Sequence, residues 1–273
     1  MMARLVVGLL GAAAIFAASN YGSEIAAWHA NREARLKAED GWLSLAGLFW
    51  LHDGANPFGA ASASEIALPD GPAHAGVFRL DHGKVSVIID GSTRQLRPDT
   101  DDIVVVGRLK LLVIQRGDRF GIRLKDPESE ARRHFKGIES FPADESYRIV
   151  AKWVAEPKKI PILNVLGQTE PSECPGYAVF QLHGRAFTLH PILEEPGAKE
   201  LFYIFKDETS GKETYPAGRF FYSDMPRNGH VVLDFNKAYN PPCAFSAFAT
   251  CPLPPPENRL AVRIEAGEKR YGH

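Results

Sequence analysis

Arg219, Asp234, Asn236, Tyr239, Asn240 and Glu268 can hold charge, move a proton or orient a polar group, and they crowd towards the end of a chain of 273 residues. In a strand over 231–236, alternation places Val231, Leu233 and Phe235 on one face and Val232, Asp234 and Asn236 on the other. Asp234 and Asn236 then share a side. If this strand pairs with the one before it across a turn at 226–229, Arg219 reaches Asp234, and the charge-assisted pair orients both. The plainer reading is an ion pair that ties the following loop to the β body. Gly218 lets another backbone or a ligand approach closely, with Tyr215 just upstream. Asp207, Asp234, Glu265 and Glu268 supply carboxyl groups for acid–base work, at spacings that are not diagnostic of it.

The loop 236–258 that follows is punctuated by Pro241, Pro242, Pro252, Pro254, Pro255 and Pro256. Proline fixes φ and lacks a backbone donor, so this segment is neither helix nor central strand but a loop held by side chains, a usual setting for sites. Cys243 and Cys251 lie within it, and Cys174 is the odd third. A metal would need further ligands, and 236–260 contains no histidine. A Cys243–Cys251 disulfide fits the spacing, with free thiols as the alternative. Closing so short a loop is worth about 2.5 kcal/mol in the chain-entropy model.

Other chemistries lack support. The chain has no G-x-G-x-x-G, no G-x-x-x-x-G-K-[ST], no G-x-S-x-G and no H-E-x-x-H, so no cofactor is expected. With 32 basic and 33 acidic residues the net charge is −1, which steers towards neither nucleic acid nor an anionic membrane. Arg4 precedes the apolar stretch LVVGLLGAAAIFAA, and small residues surround Ser19. These are the parts of a signal peptide over 1–19, too short for a span of about 20 residues, and they predict a periplasmic or secreted protein. An uncleaved segment would be its one contact with a membrane.

The elements that must position the polar set are mostly strands. Residues 23–40 read as a helix, with Ser23 as cap and Gly41 as stop. Residues 41–51 read as a turn and short strand, and 127–134 as a short second helix. From 77 onward short β-branched and alternating runs follow one another across tight turns, including 147–156, 215–222, 231–235 and 259–264. This pattern predicts a mainly β, antiparallel barrel-like or sandwich fold with an N-terminal helix. No repeat or linker divides residues 20–273, which read as one domain, although 135–144 could cross between two halves.

The runs FKDETSGKETYPAGRFF, LDFNKAYNPPCAF, TCPLPPPENRL and IEAGEK resemble the bacterial and archaeal family called domain of unknown function 1684. DGWLSLAGLFWLHDGANPFG and FPADESYRI resemble it too, so the likeness spans the whole chain beyond the signal peptide. The resemblance implies an exported or membrane-associated β-rich protein with a motif that includes Asp207, Thr209, Tyr215, Arg219, Asp234, Asn236, Tyr239, Asn240, Cys243, Thr250, Cys251, Asn258 and Glu268. Pro216 departs from the small residue expected after Tyr215. The favoured expectation is a small polar or amphipathic ligand held in a barrel cavity rimmed by the proline loop. One alternative is a cofactor-independent hydrolase or isomerase using Asp234 or Glu268 with Arg219 and Tyr239. The other is a structural protein of the cell envelope.

Overall fold

The computed structural model of the protein describes residues 7–272, with side chains from Asn20 onward. Of the expected signal peptide, 1–6 with Arg4 lie outside the described residues, and 7–19 are described as helical backbone. Packing divides the chain into two compact units. One comprises Arg35–Lys136 with Phe245–Ala249, the other the residues up to Ala34, Gly137–Ala244 and those from Thr250 on. No linker marks the division in the sequence: one boundary falls inside a helix, another between Lys136 and Gly137, and two more at the ends of Phe245–Ala249.

Helix α1 (Val7–Lys37) is longer than expected, and Ser23 lies inside it instead of capping it. The Ala- and Leu-rich run before Ser19 has high helix propensity and extends the helix upstream. No helix among the described residues is long and apolar enough to cross a membrane.

The unit built on 35–136 contains β1 (Leu45–Trp50), β2 (Gly54–Gly59), β3 (Ile66–Ala67), β4 (Gly76–Asp81), β5 (Lys84–Ile89), β6 (Ser92–Leu96), β7 (Val104–Val106), β8 (Leu109–Arg116), β9 (Arg119–Lys125) and the short helix α2 (Glu130–Arg133). The strands form a five-stranded sheet, β3-β2-β4-β5-β6, and a four-stranded sheet, β1-β9-β8-β7. Alternate residues enter one core: Phe78 and Leu80 from β4, Val85 and Val87 from β5, Leu109, Leu111 and Val113 from β8, Phe120, Ile122 and Leu124 from β9. The expected turn and strand at 41–51 and the expected short helix, capped by Ser129, are both present.

The second unit contains β10 (Arg148–Val154), β11 (Lys158–Leu163), β12 (Thr169–Cys174), β13 (Tyr177–Leu182), β14 (Arg185–Leu189), β15 (Glu200–Phe205), β16 (Arg219–Asp224) and β17 (His230–Asp234). They form the sheet β14-β13-β10-β17 and two ribbons, β11-β12 and β15-β16. Tyr203, Phe205, Phe221 and Phe235 fill the core, with the Tyr203 and Phe221 rings stacked at 4.7 Å. Each such ring contributes about 1.5–3 kcal/mol by leaving water.

The fold is therefore mainly β, with an N-terminal helix and antiparallel pairing except where β2 meets β3. None of the sheets closes into a barrel. Two expected strands differ. Strand β16 begins at Arg219, since Pro216 has no N–H for a ladder. Residues 259–264 join no sheet but bond piecewise, Leu260 donating to the Lys206 carbonyl at 2.7 Å and the Val262 carbonyl accepting from Glu208 at 3.0 Å.

Candidate functional site

Arg219 opens β16 opposite Phe205, and its guanidinium is wholly buried. It donates to the backbone carbonyls of Ala266 and of Ile264, the latter at 3.0 Å, and lies 3.4 Å from Asp207 Oδ1. Asp207 Oδ2 accepts from the N–H of Ile264 at 2.8 Å, and both its oxygens take the Thr209 hydroxyl. Arg219 and Asp207 thus serve as a side-chain substitute for a neighbouring strand, satisfying the polar groups of an extended tail that no ladder holds. Burial lowers the Arg219 pKa and Asp207 opposes it.

The anticipated Arg219–Asp234 pair does not form. Strand β16 pairs with β15 while β17 pairs with β10, so Asp234 stands opposite Arg148 in another sheet. Asp234 Oδ1 instead accepts from the Tyr21 hydroxyl at 2.9 Å and from the Asn236 backbone at 3.2 Å, and Lys237 is 3.7 Å from Oδ2. The Asn236 amide donates to Tyr21 at 2.8 Å and exchanges hydrogen bonds with the backbone of Asp144. Burial and the neighbouring Asp234 both raise the Tyr21 pKa.

Glu268 is also fully buried. Its Oε2 accepts from the Asn240 N–H at 2.7 Å and its Oε1 faces Arg32 Nε at 3.4 Å. Arg32 also donates to the Asn240 carbonyl at 3.0 Å and lies 4.5 Å above the Tyr239 ring. Burial raises the Glu268 pKa against the pull of Arg32. Gly267, at φ +77, must be glycine, since a Cβ there would come within 2.4 Å of the Ala238 carbonyl.

Tyr21, Ile25, Trp28 and Arg32 recur at three- and four-residue steps along α1, which puts them on one stripe. Tyr21 and Arg32 were not singled out in the sequence, although their spacing places them on this stripe.

Side chains hold the proline loop in place. The Cys243 and Cys251 sulfurs lie at disulfide distance, with Cα atoms 6.2 Å apart, within the range a disulfide spans. Tyr215 donates to the Cys243 carbonyl at 3.1 Å. Asn258 bonds the backbone N–H and carbonyl of His190 and the carbonyl of Ile204, at 2.8–2.9 Å. Gly218 admits the Phe205 carbonyl and Pro254, so the close approach expected there is made by the chain itself.

Arg219, Asp234, Asn236, Asn240 and Glu268 are thus buried and engaged with the protein's own groups. Tyr239 differs. It is part of a stack in which the Tyr222 and Tyr239 rings lie 6.4 Å apart at 15°. Tyr222 donates to Glu194 Oε2 at 2.7 Å. Burial raises the pKa values of both tyrosines. Tyr222 lines an open groove of about 360 Å³ together with Glu194, Glu195, Ala198, Lys199 and Glu200. The groove's polar lining was not singled out in the sequence, where no motif marks residues 194–200.

No curated protein matches the chain. An uncharacterised protein of Haloarcula marismortui with a solved solution structure is 32% identical, over 50% of this chain and 78% of its own, with a TM-score of 0.43. Residues 133–269, half of the chain, match the family described as protein of unknown function, DUF1684, and the chain belongs to that family.

Proposed function

We propose that the protein is exported and binds a small polar ligand carrying a hydrogen-bond donor or a positive charge, in the groove lined by Tyr222. The Tyr222 hydroxyl held on Glu194 carries this reading. Glu194, Glu195 and Glu200 give the groove an acidic lining, and Lys199 adds a cation. Tyr222 stacks on Phe202 at 4.8 Å, which fixes the phenol before any ligand arrives. A pre-set donor or acceptor costs less ordering on binding. Arg219, Asp207, Asp234, Asn236, Asn240 and Glu268 are the frame, and a Cys243–Cys251 disulfide would keep the proline loop closed.

Native mass spectrometry of protein from its own host is the test. A bound small molecule is expected with the wild type and lost with Tyr222→Phe and Glu194→Gln. Equal retention by both variants would overturn the reading.

The raised carboxyl of Glu268 favours a second one, a cofactor-independent enzyme. The Tyr239 ring neighbours that of Tyr222 and carries Arg32, which faces Glu268, over its face. In that case Tyr239→Phe leaves ligand retention intact while lowering conversion of the retained ligand.

A further inference from the structure

Arg123 lies on β9 and is 9% exposed, yet its Nε and Nη2 have no hydrogen-bond partner among the described residues. These two donors share one edge of the guanidinium, the edge that takes a carboxylate or phosphate in two parallel bonds. A buried charge with an unmet edge is costly, and a native protein that keeps one has a use for it.

The surroundings are cationic. Alternation puts Lys110, Leu112, Ile114 and Arg116 of β8 on the same face as Arg119, Gly121, Arg123 and Lys125 of β9. In that register Lys110 stands directly opposite Lys125 and Arg116 opposite Arg119, two like-charged pairs that destabilise a bare ladder. The nearby groups are already committed. Asp99 pairs with Arg116 at 3.0 Å, Arg119 lies 4.0 Å over Trp50, and the Lys125 ammonium donates to the Asp40 carbonyl at 2.5 Å. Burial and the neighbouring Arg116 push the Arg123 pKa down to about 10, and burial with Arg123 and Lys110 lowers that of Lys125. Arg123 stays charged at neutral pH.

Apolar groups neighbour the guanidinium. The Trp42 ring lies 5.2 Å from the guanidinium carbon, and Leu48 and Leu112 are the cross-strand neighbours of Arg123. Trp42, Leu48, Lys110, Leu112 and Arg116 are half-buried, so solvent reaches the rim.

We propose that Arg123 anchors a binding site for an organic carboxylate with an apolar body. The Nε/Nη2 edge holds the carboxylate, Lys110, Arg116 and Lys125 supply the surrounding positive field, and Trp42, Leu48 and Leu112 take the apolar part. This site is separate from the Tyr222 groove and stands whether or not that groove binds anything.

Octanoate, acetate and inorganic phosphate serve as probes, titrated into the full chain at low ionic strength while tryptophan fluorescence is followed. Saturable octanoate binding is expected, tighter than that of acetate or phosphate, with the signal lost in Trp42→Phe. Arg123→Met should weaken octanoate at least tenfold without loss of thermal stability, since an apolar side chain replaces a charge that lacks its partner. Arg123→Lys keeps the charge but not the fork, and should weaken octanoate too, which keeps the test open if the Met variant fails to fold. Absence of octanoate binding, equal binding by the variants, or a preference for phosphate would each overturn the proposal.

Discussion

Glu268 illustrates how a residue can look catalytic in a sequence and have structural work in the fold. Its carboxyl accepts from Asn240 and faces Arg32, and burial still raises its pKa above the usual 4.5. The folded state then binds the proton more tightly than the unfolded one, so this group's contribution is fully present below about pH 4.5 and declines as pH rises through the raised value. Thermal unfolding of wild type and Glu268→Gln across pH 4 to 8 checks the sign. The wild type is expected to lose stability relative to the variant as pH rises, and parallel curves would show that the carboxyl is ionised in the fold as readily as out of it. Arg219 and Asp234 were legible as residues that need partners. Which partners they take was not, because that depends on which strands pair. Asp207 and Tyr21 come from positions 12 and 213 residues away, and no local spacing encodes a choice between them.

Among elements, the strands with clear alternation and tight turns were legible, as were the short helix behind Ser129 and the loop nature of 236–258. Local pattern alone sets these. The upstream extension of α1 and the tail beyond 259 were both misread. High propensity carried the helix past a good cap at Ser23, and the tail buries Val262, Ile264 and Ala266 without joining a ladder, its polar groups met piecewise by Lys206, Glu208, Asp207 and Arg219. The proline loop needs its side-chain ties because it can make few backbone bonds of its own. Cys243 and Cys251 are placed to supply one, while Cys174 is buried and donates to the Gly176 carbonyl. Non-reducing peptide mapping of oxidised protein is expected to find the 243–251 link with Cys174 free, and replacing both linked cysteines by serine to cost about 2.5 kcal/mol. Recovery of all three thiols in alkylated form would rule the link out.

For the whole molecule, the class of fold was legible and its division into two packed units was not, since a chain that leaves one unit and returns to it needs no linker. Compartment is the remaining property at this scale, and it bears on the cysteines, because a disulfide persists outside the reducing cytosol. The motive is Arg4 with the apolar stretch up to Ala18. Where α1 is cut also matters for packing. Cleavage after Ser19 would leave Tyr21 as the second residue of the mature chain, still able to reach Asp234 and Asn236 through its hydroxyl. Cleavage a few residues later would remove Tyr21 and with it one buried hydrogen bond to Asp234 and one to the Asn236 amide, at a cost of about 0.5–1.5 kcal/mol each. The contact therefore sets a limit on the cut. Intact-mass measurement on protein from the native host is expected to show loss of roughly 19 residues, the length of a signal peptide with a small-residue exit, with Tyr21 retained. A full-length product in the cytosol, or a mature chain that begins beyond Tyr21, would refute it.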